Sequence, residues 1–348
     1  VAVHLAFLKN RPYECRFCES CDPRGEGLIS QVKEANEKGK LALTPANASG
    51  QLELAGIVPI PPLSVEDEAS APAVVDPRNR LNELTATEWM PETISVWVQK
   101  GLGASHAEAQ IERQHPAPFS FSDVSRLIRF FTKSNAVVLD PFVGVGSTLK
   151  ACALHGRMGI GIELNPHYVE LSQQRLSLEV PASAPARDLQ RILQGDAREM
   201  VPQMQEDSVD FVVTSPPYGN ILHKQDHKAR QERTSKGLDT RYGDDPRDLG
   251  NIHDYGLFLE AVSGILGGCG RVLKPKKYMA VVVSDFRDGS QYVMFHADLA
   301  RRLEAFRLQL RGITVLYQRH KRIFPYGYPY AFVPNLHHQM ILIMQNEK

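Results

Sequence analysis

The stretch from residue 136 to residue 163 leaves a chain few folds to choose from. "AVVLD" (136–140) is a short apolar run of buried-strand type that ends in a carboxylate. "GVGSTLKACALH" (144–155) is a glycine turn entering a helix. "RMGIGIEL" (157–164) is a second strand, again closed by a carboxylate, Glu163. A strand, a helix and a strand in such short order make a parallel crossover unit, because two parallel strands need a connection long enough to cross the sheet. The alternation then continues. "PHYVELSQQRLSLE" (166–179) reads as a helix, "RILQGDA" (191–197) as a third strand, and "VDFVVTSPPY" (209–218) as a fourth. The expected fold class is therefore α/β, a Rossmann-like fold with a mostly parallel central sheet, whose ligands bind beyond the carboxyl ends of the strands.

The rest of the chain is read around that unit. "FSDVSRLIRFFT" (121–132) has helical apolar spacing, with Ser122 or Asp123 as its cap. A helix at 255–273, a strand at 278–286, a helix at 296–306 and strands at 310–318 and 337–345 resume the alternation. Residues 1–110 read as an N-terminal extension, with a Pro-, Ala-, Ser- and acid-rich linker at 46–78 and a helix opening near Thr85 or Thr87. Residues 111–348 form the expected catalytic domain, interrupted by a polar segment at 219–253.

Charge excludes one class and leaves another open. Forty Lys and Arg balance forty Asp and Glu, so the chain is not a basic coat for nucleic acid, although clustered cations can still hold DNA. No apolar run is long enough to span a bilayer, and the N-terminus does not read as a signal peptide. The five cysteines do not form a secreted disulfide framework, so the expected location is the cytoplasm. Cys15, Cys18 and Cys21 could supply three thiolates to a structural zinc, completed by His4 or a distant His, or to an Fe–S cluster, or stay reduced and unliganded.

Two sets of residues carry chemistry. In the first, Gly144 and Gly146 let backbone approach a ligand at a helix N-terminus, where free N–H groups favour an anion. Glu163 closes the next strand, where a carboxylate can bind two ribose hydroxyls. Asp196 follows the third strand, placed either to accept from an adenine amino group or to cap a helix. In the second set, Thr214-Ser215-Pro216-Pro217-Tyr218 is delivered to the carboxyl edge by the fourth strand. The two prolines extend the backbone and remove N–H donors, leaving the Ser215 hydroxyl and the Pro216 carbonyl as acceptors beside the Tyr218 ring.

These motifs resemble those of the amino-group DNA methyltransferases. "DPFVGVGST" (140–148) is similar to the family's first motif, "GIELNPHYVELSQQRL" (161–176) to its second and "GDA" (195–197) to its third. "HPAPFSFSDVSRLI" (115–128) resembles the segment that packs on the methionine part of the cofactor, and "TSPPY" the catalytic motif in its serine form. One departure is small: Ser147 stands where many members have Thr or another small residue, with Thr148 beside it. A larger one is the order, since many enzymes with this catalytic motif carry it before the cofactor motif.

The resemblance implies S-adenosylmethionine as cofactor. It would be bound by Asp140, Pro141, Phe142, Gly144, Gly146, Ser147, Thr148, Glu163, Leu164, Asp196, Ala197, His115 and Pro116. It implies direct methyl transfer to the exocyclic amino group of a flipped base, with Ser215, Pro216, Pro217 and Tyr218 as catalytic residues. The serine form favours cytosine N4. The alternatives are adenine N6, an RNA or protein amide as acceptor, and a catalytically silent DNA-binding module. A C5 mechanism needs a cysteine nucleophile, and Cys152 and Cys269 fall in predicted helices or at their ends. Double-stranded DNA is the expected partner, with a cognate restriction enzyme as a further one. Lys224, Lys228, Arg230, Arg233 and Lys236 in the polar segment, and Arg319, Lys321 and Arg322 in "YQRHKRIFPYGYPYAF" (317–332), are the expected DNA contacts. The aromatics of the second segment suit stacking or a packed hairpin, and "SDFR" (284–287) reads as a base-pocket wall or a salt-bridged strand end.

Overall fold

Both faces of the central strands are covered, and the sequence shows why. Their apolar runs are continuous, and successive side chains point to opposite sides. Leu139, Val212, Met279 and Val281 join one core with Phe258, Leu266 and Leu303. Their neighbours Val138, Phe211, Val213, Ala280 and Val282 join a second core with Leu127, Ile128 and Trp97. The structure, a computed structural model, describes residues 74–99, 109–112, 114–115, 118–217 and 245–348.

The described elements are α1 (Ala86–Glu92), β1 (Val96–Gln99), a single helical turn (Ala109–Glu112), α2 (Phe121–Phe131), β2 (Val137–Asp140), α3 (Ser147–His155), β3 (Met158–Glu163) and α4 (Pro166–Glu179). They continue with β4 (Arg191–Gln194), α5 (Ala197–Met200), β5 (Val209–Thr214), α6 (Tyr255–Val272), β6 (Leu273–Val283), β7 (Phe286–Asp288), β8 (Gln291–Val293), α7 (Phe295–Glu304), β9 (Leu308–Gln318) and β10 (His338–Asn346). Eight strands form one sheet in the order β1-β9-β10-β6-β5-β2-β3-β4, while β7 and β8 pair separately. Every neighbouring pair in the large sheet is parallel except those made by β10, which runs antiparallel to β6 and to β9. This is the expected mostly parallel α/β sheet. After β2 the chain builds outward through β3 and β4, and β5 returns to the other side of β2. The gap between β2 and β5 is thus the topological switch point, where such sheets bind ligands.

The described residues before 110 pack against those that follow. Residues 70–348 form one compact unit, and β1 adds an eighth strand to its edge by pairing with β9. Asn82 donates to the Phe130 carbonyl at 2.6 Å, and Glu83 accepts from the Ser134 hydroxyl at 2.9 Å. Arg126 pairs with Glu92 and stacks over the Trp97 ring. The α1 cap is Thr85, which forms a capping box with Glu88.

The cap of α2 also differs from expectation. Ser120 occupies the cap position. Asp123 is buried and accepts at 2.6 Å from Gln99, which in turn accepts from Gln318 at 2.9 Å. A polar chain through the packed layer therefore ties the edge strand to α2. No helix among the described residues is long and apolar enough to cross a membrane.

Candidate active site

The site is assembled on Asp140, at the carboxyl end of β2. Its side chain is fully buried, with one oxygen accepting from the Thr214 hydroxyl at 2.6 Å and the other from the Thr148 hydroxyl at 2.5 Å. The backbone N–H of Phe142 adds a third bond at 3.1 Å. Burial pushes this carboxyl up to about 6, against the opposing pull of the three donors. One buried side chain therefore fastens the end of β5, the turn after β2 and the first turn of α3.

Glu163 holds the next strand end. Its two oxygens accept from the Gly144 N–H at 2.9 Å and the Asn165 N–H at 2.8 Å. Burial pushes it up to about 7, with the two N–H donors opposing and the charges of Asp248 and Asp140 adding to the rise. The turn that Glu163 clasps needs its glycines. Gly144 has φ +51° and a Cβ there would press on the His115 ring at 3.3 Å, while at Gly146, with φ +81°, a Cβ would lie 2.2 Å from the Ser172 hydroxyl.

A cavity of about 270 Å³ opens at these strand ends. Of the cofactor residues named from sequence, His115, Pro141, Phe142, Glu163, Leu164, Asp196 and Ala197 line it. Ser215 and Pro217 of the catalytic motif line the same cavity. Asp140, Gly144, Gly146, Ser147 and Thr148 do not line it; they shape the turn from beneath. Ser147 faces away altogether, donating to the Phe119 carbonyl at 2.6 Å and accepting from Arg175 at 2.8 Å. Pro216 follows Ser215 off the strand without lining the cavity. Pro116, Tyr218, Lys224, Lys228, Arg230, Arg233, Lys236, Cys15, Cys18 and Cys21 lie outside the described residues.

Asp196 takes the capping role and also faces the cavity. It caps α5 by accepting from the Arg198 N–H at 2.8 Å, and its carboxylate pairs with the Arg198 guanidinium at 2.6 Å while lining the cavity. Burial works to raise its pKa, but the hydrogen bonds from Arg198 prevail and hold it below the usual carboxylate range.

Sequence reasoning missed part of the wall. Asp245, Arg247, Asp248 and Leu249 line the cavity from a segment read as a DNA loop. Asp248 caps the short turn Leu249–Asn251, and the Arg247 carbonyl accepts from Arg198 at 2.6 Å. The signal was the acid before "LGN", the cap pattern that ends a loop. Tyr168, from the buried face of α4, also lines the cavity and meets His115 edge-on at 4.7 Å between ring centres.

Behind this wall sits a buried ionic cluster. Arg175 is fully buried, bonded to Glu112 at 2.9 Å and to Glu179 at 3.0 Å, and Lys150 reaches Glu179 at 2.8 Å. The cluster fixes the turn Ala109–Glu112, and hence the approach to His115, against α3 and α4. Burial raises the Glu112 pKa, with Arg175 opposing.

The remaining sequence readings separate clearly. Asp285 of "SDFR" is buried and accepts from His296 at 2.6 Å and from the Tyr292 hydroxyl at 3.2 Å, a bonded strand end that does not line the cavity. Cys152 and Cys269 are buried in α3 and α6, and burial pushes both thiols above their ordinary range, so neither offers a nucleophile here. Among the described residues no three His, Cys, Asp or Glu cluster to hold a metal ion. Arg319, Lys321 and Arg322 are exposed at the end of β9.

Residues 63–174 match a family model described as DNA methylase. Among curated relatives, the chain is 48% identical over 65 residues to YubD of Escherichia coli (strain K12), named as a methylase, covering 19% of this chain and 29% of that protein. It is 30% identical over 115 residues to type II methyltransferase M.ScaI of Streptomyces caespitosus, covering 32% of this chain and 38% of that one. The chain thus spans well under half the length of these relatives. A solved structure, TrmN from Thermus thermophilus, aligns over 65% of this chain and 48% of its own at 16% identity, with a TM-score of 0.40.

Proposed function

We propose, on the premise that the matched segment is of the amino-group DNA methyltransferase family, that this protein methylates an exocyclic amino group of a base in double-stranded DNA. S-adenosylmethionine would be the methyl donor and cytosine N4 the acceptor. The observation that carries this reading is the Thr214–Asp140 bond at 2.6 Å. It joins the catalytic strand to the cofactor strand, so that Ser215 opens into the cavity that Glu163 and Asp196 also line.

The residues present fit the cofactor. Glu163 is a carboxylate at the strand end that follows the glycine turn, suited to a pair of ribose hydroxyls. Asp196 faces the cavity with both oxygens already accepting from Arg198, so an adenine amino group would share or displace those bonds. His115 lines the cavity beside Gly144, where a side chain would press on its ring. When bound, the cofactor supplies an electrophilic methyl group.

The chain does the rest. The Ser215 hydroxyl and the Pro216 carbonyl accept the two amino protons of the flipped base, which turns the nitrogen lone pair toward the methyl group. Tyr218 stacks on the base. The domain that performs this runs from about residue 70, and the cations at 224–236 and 319–322 hold the phosphates. A cognate restriction enzyme acting at the same site is the partner this reading brings.

The test is nucleoside mass spectrometry of DNA incubated with the protein and labelled S-adenosylmethionine, beside a Ser215→Ala variant. N4-methylcytosine lost in the variant is the expected result. N6-methyladenine would replace cytosine with adenine as target. Label found in RNA or protein instead of DNA would overturn the substrate.

A further inference from the structure

The segment 319–337 joins β9 to β10. Because β9 runs parallel to β5 and β6, this segment leaves the sheet at the same carboxyl edge as Ser215. Strand order places β9 three strands from β5, about 14 Å at ordinary strand spacing. That distance is close to the width of a DNA major groove, about 12 Å.

Two properties of the segment are unusual together. Tyr328 is 81% exposed, Tyr330 94% and Phe332 89%, and Ile323 beside them is also exposed. Rings of this size rarely face water as a group unless something covers them. Yet the backbone beneath them is held. The Asn335 side chain accepts from the Phe324 N–H at 2.9 Å and donates to the Phe324 carbonyl at 2.8 Å, clamping the base of the loop. The N–H groups of Tyr330 and Ala331 both reach the Gly327 carbonyl at 2.7 Å. The rings bound an open cleft of about 360 Å³, walled by this loop alone between Tyr326 and Val333.

The charge beside the cleft selects its occupant. Arg319, Lys321 and Arg322 are exposed, and none forms an ion pair with a described residue. From 319 to 346 the sequence contains no Asp or Glu, in a chain whose charges cancel overall. A polyanion with flat apolar faces meets both demands, because phosphates answer the cations and bases stack on the rings.

We infer that the cleft formed by Tyr328, Tyr330 and Phe332 is a base-stacking site for the DNA duplex, engaging base faces exposed where the target nucleotide leaves the helix. This inference rests on the DNA-methyltransferase reading and adds to it a second contact with bases, remote from the one at Ser215. Phosphate contacts at Arg319, Lys321 and Arg322 seat the strand, and the rings hold the opened step.

The experiment compares the full chain with two triple variants. One is Tyr328→Ala/Tyr330→Ala/Phe332→Ala, and the other, Tyr328→Phe/Tyr330→Phe/Phe332→Tyr, keeps the rings. Each is given unmethylated, PCR-amplified duplex DNA and labelled S-adenosylmethionine. Cofactor binding by calorimetry reports folding, and light scattering reports association state. The alanine variant is expected to lose at least about tenfold in duplex methylation with cofactor affinity unchanged, and the ring-keeping variant to stay within about threefold of the native chain. Native rates in the alanine variant, or equal losses in both variants, overturn the inference. So does an altered association state with unaltered DNA methylation, which would assign the rings to a protein contact. A native chain that binds cofactor but labels no DNA sinks the underlying reading, and the inference with it.

Discussion

The two ends of the sheet's carboxyl edge are built on opposite principles. Around β2, β3 and β5 the polar groups are buried and already paired: Asp140 with two threonines, Glu163 with two backbone N–H groups, Arg175 with two glutamates. Beyond β9 the aromatic rings and cations stand in water on a loop whose backbone alone is fixed. The first arrangement suits a small ligand that must be held to a fraction of an ångström, where preorganised groups cost no rearrangement at the moment of reaction. The second suits a long polymer that supplies the missing partners itself. Affinity at the first end should follow single buried groups, and at the second the sum of many weak contacts.

The largest expected effect belongs to the paired end. Arg175→Ala strands Glu112 in a buried site and leaves Glu179 to Lys150 alone, and urea unfolding should show a loss of about 3–5 kcal/mol. A loss below 1 kcal/mol would mean that the cluster behind the cavity is not prebuilt, and the contrast drawn above would fail. Next comes Ser215→Ala, which on the proposed reading removes an acceptor for the amino group. It should reduce the methyl-transfer rate by about 10²–10³-fold in single-turnover assays while leaving cofactor affinity alone.

A smaller effect is read from pH. The Glu163 carboxyl in the cofactor-free protein sits at about 7, above its ordinary 4.5, because burial disfavours the charge. The folded, cofactor-free state therefore binds an extra proton between those values. It gains stability as pH falls from about 7 toward 4.5 and loses that gain as pH rises again. If Glu163 binds the ribose as proposed, the hydroxyls would donate to its ionised form, and cofactor affinity should fall by up to about tenfold per pH unit below 7. Calorimetry across pH should show this slope in the native chain and its absence in Glu163→Gln. The smallest effect lies at the open end. Arg319→Ala should lower the salt slope of DNA binding by about 1, measured by titration at several ionic strengths, with little change in the methylation rate at low salt.

Much of the paired end was legible in the sequence, because buried strands and glycine turns leave local marks. The run "PHYVELSQQRLSLE" coincides with α4 residue for residue, from the Asn165 cap and the proline in its first turn. The strands that carry Asp140, Glu163 and Ser215 stand where their apolar runs put them. Residues whose roles depend on distant partners were harder to read. Ser147 sits inside the cofactor motif yet serves Phe119 and Arg175, and nothing in its neighbours announces that. The edge strand β1 is four residues long and pairs with a strand more than 200 positions later, so no local pattern could register it. Arg247 and Asp248 lay in a polar stretch whose composition suggested solvent, and their place on the cavity wall depends on distant partners, such as Arg198, which donates to the Arg247 carbonyl.

The bond from Thr214 to Asp140 also bears on how a gene for such a protein can be rearranged. The two residues are 74 positions apart in the chain but end adjacent strands, and the bond needs their adjacency, not their order. A coding sequence cut between these strands and rejoined at its old ends would still set β5 beside β2. The same hydroxyl would meet the same carboxylate, whichever strand came first in the chain.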